Sequence, residues 1–539
     1  MRHAPFLTLH HPASARAYGA AGLWRSETLF DRLRAMAMAH PGTLALRDGT
    51  RALSWRALLD WVEGTAAAMA KLGLARGDRV SLWMPNMAEA VVAFLACSRQ
   101  GLACNPSLHR TYTGAEVAGL LGVLEAKLLV TAPGWGADAV GDPVARFGGV
   151  PGLRAVWTPA TFPRPAEGPP LEEGDADGVG YLAFTSGTTG APKCVMHSDN
   201  TLLANARDLV RDWNHGPHTV LLTLSPVSHH IAWVAVAQWL VAGCTLVLDD
   251  APQGRTRLDW LRETGATYVL GVPTHAMDIQ AEARARGLDL GATRTFYMAG
   301  SPIPPAVAEE FVRRGVKPQN VYGMTENSSH QYTHPHDATD VILATCGRGG
   351  RAYEVAIFDP ADRDRPLPPG EVGEIGGRGA ALMLGYLGNQ EATAASFNRG
   401  GWFMSGDLGV LDAQGNLSIA GRSKDLVIRG GHNIHPAKVE ALALRHPQVA
   451  RAAAFAVPDE RLGERVCLAI IGEAEPAALL AHLAAEGLSR FDMPERFLRL
   501  DGFPLTASGK VLKRELAAMV ARGELAPEPI RAEQKEGAA

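Results

Sequence analysis

The chain has 539 residues, of which 47% are hydrophobic and 20% charged, which is ordinary for a globular enzyme and long enough for several domains. A net charge of -4 argues against a nucleic-acid partner, and no Lys/Arg run marks an anionic membrane surface. The six cysteines, at 97, 104, 194, 244, 346 and 467, form no CxxC pair, so reduced buried thiols and a cytoplasmic location are expected.

In chain order, the first ten residues hold too short an apolar run for a secretion signal. Ser54 reads as the N-cap of a helix reaching about Leu72, with Gly73 just past its end. Arg79 to Met84 reads as a short strand, followed by a helix from about Met87, a helix over Thr113 to Leu124 and a strand over Lys127 to Thr131. This alternation predicts stacked α/β layers with largely parallel sheets. Thr161 to Gly178, rich in Pro, Gly and acidic residues, reads as a surface connector.

The segment Tyr181-Leu-Ala-Phe-Thr-Ser-Gly-Thr-Thr-Gly-Ala-Pro-Lys193 then runs from an apolar strand into a loop of glycines and hydroxyls. Gly187 and Gly190 free the backbone, Thr185, Ser186, Thr188 and Thr189 offer hydroxyls, and Lys193 adds a positive charge. These are the parts of a polyphosphate cradle, although a Ser/Thr/Gly connector has the same composition. It is not a Walker loop, because Ala191 and Pro192 separate Gly190 from Lys193. Further on, Ile231 to Leu248 is long enough to raise a membrane helix, but Gln238 and Gly243 interrupt it. A buried helix, a glycine stop and a core strand are expected instead, with no stable membrane insertion.

After the loop come Asn320-Val-Tyr-Gly-Met-Thr-Glu326, Gly401-Trp-Phe-Met-Ser-Gly-Asp407, Gly421-Arg-Ser-Lys-Asp425 and Pro504-Leu-Thr-Ala-Ser-Gly-Lys510. With the loop, this ordered series resembles the adenylate-forming superfamily of acyl-CoA synthetases, nonribosomal peptide adenylation domains and luciferases, from about Leu29 to about Met519. The resemblance implies a large N-terminal AMP-binding domain over residues 1–421, closed by a small β-rich subdomain from about Val355. It further implies a hinge at 422–424 and a small mobile α+β lid over 425–522. Residues 523–539, charged and containing Ala and Pro, are expected to be a disordered tail.

The same resemblance implies ATP, Mg²⁺ and coenzyme A, and roles for individual residues. Lys510 would bridge carboxylate and α-phosphate, Glu326 would hold Mg²⁺, and Thr325 would contact phosphate. Asn320, Tyr322, Gly323 and the Ala299-Gly300-Ser301 turn would form the adenine site, and Asp407 with Arg422 would hold the ribose. Lys424 would be the pivot, and Gly430 and Gly431 would flank the thiol tunnel. His229 aligns with the gating position beside the acyl carboxylate, although Pro226-Val-Ser-His-His-Ile-Ala-Trp233 carries Ser228 in place of the usual aromatic. By position, His230, Val234, Tyr297, Gly300, Met324 and Ser328 are candidates for the acyl pocket. None is acidic, which favours a simple carboxylic acid over an amino acid.

His330, His334 and His336 lie close enough in sequence to raise a metal site. Pro335 breaks helical ligand spacing, so a polar pocket wall or loop is the better expectation. The resemblance implies an ATP-dependent acid:CoA ligase acting on an aromatic, alicyclic or medium-chain (fatty) acid. The alternative is a stand-alone adenylating enzyme that loads a carrier protein's pantetheine. The expected partners are the acid, coenzyme A and, at most, a second copy in a homodimer.

Overall fold

A computed structural model describes residues 7–9, 11–168, 174–185, 192–422, 425–505 and 511–530. Local signals set the first helices. Ser54 accepts from the Ala57 amide and caps Trp55–Lys71, and Thr113 with Glu116 forms a reciprocal cap on Gly114–Leu124. The apolar span after His229 divides as its sequence predicts. The buried helix His230–Ala242 ends at Gly243, whose φ of 63° is the left-handed conformation that stops a helix, and Thr245–Leu248 follows as a core strand.

Two large sheets carry most of the chain. One has eight strands in the order Ser328–Tyr332, Lys317–Met324, Thr295–Ala299, Tyr268–Gly271, Val220–Thr223, Thr245–Leu248, Leu44–Arg47 and Ala52–Ser54. Its interior pairs are parallel and only the two end pairs antiparallel. The other has six strands, Ala155–Trp157, Leu128–Thr131, Arg79–Trp83, Ala103–Asn105, Val179–Thr185 and Lys193–Ser198, parallel except for the last pair. One hydrophobic core joins both sheets around the helices Leu29–Ala39, Trp55–Lys71, Ala88–Gln100 and His230–Ala242. Within it Trp55 stacks on Trp239 with centroids 5.0 Å apart. Among the described residues, no helix is long and apolar enough to cross a membrane.

An antiparallel five-stranded sheet follows, in the order Asp362–Pro366, Tyr353–Asp359, Gly373–Gly379, Phe403–Leu411 and Leu417–Arg422. The smaller C-terminal domain is built on Gly463–Gly472, which alternates strictly. Val466, Leu468 and Ile470 meet the helices Pro436–Ala443 and Pro476–Ala485, while Cys467 and Ala469 face Lys513–Ala521.

One expectation is corrected here. The stretch from Gly523 is not disordered up to Ile530, because Glu528–Pro529 pairs antiparallel with Arg496 and Phe497. The Ile530 amide bonds the Glu495 carbonyl at 3.2 Å and its side chain packs on the domain core. An otherwise open strand edge supplies the pairing partner.

Candidate active site

The candidate residues gather where strands of the two large sheets end, the usual place for ligands in parallel α/β layers. Thr185 closes Val179–Thr185, and its hydroxyl lies 3.4 Å from the carbonyl of Lys193, which opens the returning strand. Ser186, Gly187, Thr188, Thr189 and Gly190 lie outside the described residues, as do Lys424 and Lys510. Gly300, with φ 92°, follows Thr295–Ala299, and Ser301 is exposed.

Lys317–Met324 and Ser328–Tyr332 form a hairpin whose turn holds Thr325 and Glu326. Gly323 is required there, since a Cβ would stand 1.8 Å from the Ser328 carbonyl oxygen. The turn is fastened from outside. His197 Nε2 lies 2.6 Å from the Thr325 carbonyl, and the Met383 amide donates to the Glu326 carbonyl at 2.7 Å. At its far end Ser328 adopts φ 57°, and its hydroxyl meets His230 Nε2 at 2.9 Å.

Glu326 Oε1 accepts from the Tyr386 hydroxyl at 3.0 Å, and the Lys193 ammonium sits 4.6 Å from the centre of the Tyr386 ring. Burial pushes the Glu326 carboxyl above its usual range, opposed by the Tyr386 hydrogen bond and the Lys193 charge. The negative charge of Asp407 pushes in the same direction as burial. Asp407 is buried. Its Oδ2 accepts from Tyr322 at 2.9 Å and its Oδ1 from Arg422 Nε at 3.1 Å.

Asn320 is held by its amide. Nδ2 donates to the carbonyls of Thr345 and Ile342 at 2.9 and 3.3 Å, which turns Oδ1 toward the Cys346 thiol, 3.7 Å away.

Residues 33–387 match the AMP-binding enzyme family, and residues 438–510 match the AMP-binding enzyme C-terminal domain. The chain belongs to this family of adenylate-forming enzymes. It is 30% identical to the medium-chain fatty-acid–CoA ligase of Escherichia coli K12, over 92% of this chain and 91% of that protein. It is 32% identical to a salicylyl-CoA synthase / salicylate adenylyltransferase of a Streptomyces species, over 94% and 96%. In structure it resembles ATP-bound MatB from Rhodopseudomonas palustris, with a TM-score of 0.81, 27% identity, and 91% and 98% of the two chains covered. This AMP-binding enzyme is an AMP-forming ligase of the acyl-CoA synthetase branch.

The acyl-pocket candidates fall into two groups. His230 keeps some exposure, with Nδ1 3.0 Å from the Tyr181 hydroxyl and Nε2 on Ser328. Met324 is partly buried against Val195, Met383 and Tyr386. Tyr297, expected on the pocket wall, has no exposed surface. It lies mid-strand with its hydroxyl on Ser329, and Val234 is 3% exposed. His229 is the N-cap residue of His230–Ala242, and its ring lies edge-on to His109 at 4.9 Å. His109 Nδ1 is 3.2 Å from the Ser228 hydroxyl, so an imidazole from another segment meets this serine.

The three neighbouring histidines diverge. His330 lies on the strand Ser328–Tyr332, not in a loop, with its ring between Tyr322 and Tyr353. His334 Nε2 meets the Gly349 carbonyl at 2.8 Å. In the C-terminal domain, Gly430 and Gly431, with φ 56° and 84°, make the turn between Val427–Arg429 and His432–Ile434.

His197, Tyr386 and His109 are absent from the sequence-based expectations. His197 lies on the strand just after the glycine- and hydroxyl-rich segment, and that position is the one local sign that could have drawn attention to it.

Proposed function

We propose that this enzyme is an ATP-dependent carboxylic acid:CoA ligase that forms an acyl-adenylate and passes the acyl group to the thiol of coenzyme A. The observation that carries this reading is the meeting of Glu326 and Lys193 on Tyr386, together with a buried Asp407 held between Tyr322 and Arg422.

A carboxylate has no usable leaving group, so it attacks the α-phosphate of ATP, forming the acyl–O–P bond and expelling pyrophosphate. Both reactants are anionic, so positive charge and positioning supply most of the catalysis. Lys193 and Lys510 are the cations proposed for this, with the loop hydroxyls and Thr325 on the phosphates. Asp407 has lone pairs left for the two ribose hydroxyls after its bonds to Tyr322 and Arg422. Adenine's exocyclic amine donates, and Asn320 offers Oδ1, its orientation fixed by the carbonyls that take Nδ2.

The donor set also fits Mg²⁺. Glu326 is one hard carboxylate, and among the described residues no cluster of three ligating side chains competes with it, the pattern of a cation held mainly by substrate phosphates and waters. When bound, Mg²⁺ would neutralise phosphate charge and keep Glu326 ionised. For the second half-reaction, the proposal is that the domain carrying Lys510 turns about Lys424 and brings the Gly430–Gly431 turn to the pantetheine arm.

The acid is proposed to be an aromatic, alicyclic or medium-chain one. His230 and Ser328 satisfy each other, and the pocket candidates hold no carboxylate for a substrate ammonium. The relatives' names, a medium-chain fatty-acid–CoA ligase and a salicylyl-CoA synthase, agree with this range. The second of those names also includes adenylyltransferase, which keeps a carrier-loading enzyme as the alternative. A panel of acids scored by pyrophosphate release, with coenzyme A or a carrier's pantetheine as acceptor, tests both. Absence of acid-dependent pyrophosphate from a broad panel overturns the enzyme reading, and transfer to the carrier alone selects the alternative.

A further inference from the structure

The hairpin turn that carries Thr325 and Glu326 rests at both ends on imidazoles. His197 meets the Thr325 carbonyl at 2.6 Å, and His230 meets the Ser328 hydroxyl at 2.9 Å. The two rings are stacked on each other, with centroids 5.4 Å apart and planes at 22°. A carbonyl only accepts, so Nε2 of His197 carries the proton. Its Nδ1 faces the Thr201 hydroxyl, 2.9 Å away. His197 is fully buried and its imidazole is neutral, burial having lowered it to about 4. His230 is anchored on its other side by Tyr181, in the strand that leads into the phosphate loop.

We propose that His197 is a positioning residue for nucleotide binding: with His230 it clamps the two ends of the Thr325–Ser328 turn and so fixes where Thr325 and Glu326 stand. His197 touches no reacting atom. It comes from the strand Lys193–Ser198 and His230 from the acyl side, so the clamp ties these two parts of the site to one turn. This rests on the roles proposed above for Thr325 and Glu326.

Amide isosteres separate this role from simple space-filling. Glutamine places its amide nitrogen near the position of Nε2, whereas asparagine reaches only that of Nδ1, so only His197→Gln keeps a donor on the Thr325 carbonyl. The probe is α,β-methylene-ATP with Mg²⁺, titrated calorimetrically into the full chain. His197→Asn is expected to weaken binding by roughly tenfold and His197→Gln by less than about threefold, the scale of one buried hydrogen bond. Ser328→Gly, which keeps the positive φ and removes the hydroxyl, tests the other end and is expected to weaken binding about threefold or more.

Equal binding by wild type, His197→Asn and Ser328→Gly overturns the clamp. If His197→Asn does not fold, Ser328→Gly decides alone, and wild-type affinity in that variant overturns the proposal. A wild-type chain that does not bind the probe at all overturns instead the proposed function on which the clamp depends.

Discussion

Tyr386 gives its hydroxyl proton to Glu326 at 3.0 Å while the Lys193 ammonium covers the same phenol ring. One aromatic residue thus connects a carboxylate and a cation from distant parts of the chain. The hydrogen bond and the Lys193 charge oppose the desolvation that favours a protonated Glu326.

Tyr386→Phe removes the hydrogen bond and keeps the ring. The Glu326 carboxyl should then hold its proton to higher pH, moving the acidic limb of the kcat/KM profile upward. An unmoved limb would disconnect Glu326 from the titration that limits activity.

Asp407→Asn leaves Tyr322 and Arg422 facing a neutral amide and removes the acceptor proposed for the ribose hydroxyls. KM for ATP should rise roughly ten- to a hundredfold, with a smaller change in kcat. Steady-state kinetics at saturating acid measures the split, and an unchanged KM would exclude the ribose role.

Neutralising Lys510 should slow adenylation at least ~10²-fold, the scale for one preorganised stabilising group, while thioester formation from supplied acyl-adenylate persists. Lys510→Ala, assayed in each half-reaction separately, checks this. Equal loss of both would contradict two working positions of the C-terminal domain.

His330 is buried between two tyrosine rings, and neither ring nitrogen has a hydrogen-bond partner among the described residues. Burial lowers its imidazole to about 3. His330→Phe keeps the aromatic packing and relieves the unpaired polar atoms, so the melting temperature should hold or rise by up to about 4 °C. A clear fall would show that the ring nitrogens are used.

Stability should decline as the pH falls from neutrality. Burial lowers His197, His215 and His275 to about 4 and His330 to about 3, against an ordinary value of 6.5. Below pH 6.5 the unfolded chain takes up protons that the native protein refuses, so stability is complete above 6.5 and is lost down to about 4. Asp199 acts oppositely. Burial raises it to about 6, so its contribution is complete below its ordinary 3.8 and lost as the pH rises through 6. Burial raises Asp208, Asp249, Asp250, Glu326 and Glu440 in the same sense, but His109, His230 and His435 join the lowered histidines, which remain the larger group, so calorimetric scans from pH 7 to 4.5 should show falling melting temperatures. A rise over that range would mean the carboxylates dominate.

The sequence makes visible what is local. Ser54, Thr113 and Gly243 act within a few residues, so the helix boundaries they mark appear in the chain as written. The motifs around Glu326 and Asp407 are equally plain, because a glycine, a hydroxyl and a carboxylate at fixed spacing carry their own chemistry. What stays hidden depends on distance along the chain. His197 and Thr325 are separated by 128 residues, Tyr386 and Glu326 by 60, and no local pattern announces either bond. Tyr297 reads as a pocket residue by position, yet it lies fully buried in a core assembled from segments far apart in the chain. Glu528–Pro529 is too short for any alternation to show, and a charged, Pro-containing segment resembles a free end until the edge it covers is known.

Those two residues also shield the protein from its own copies. Without them, Arg496–Arg499 would present a bare row of amides and carbonyls, to which a neighbouring molecule could add itself strand by strand. Pro529 has no amide proton to pass on, so the row stops there. Chains trimmed before Glu528 should clump more readily than full-length ones, whatever becomes of their chemistry.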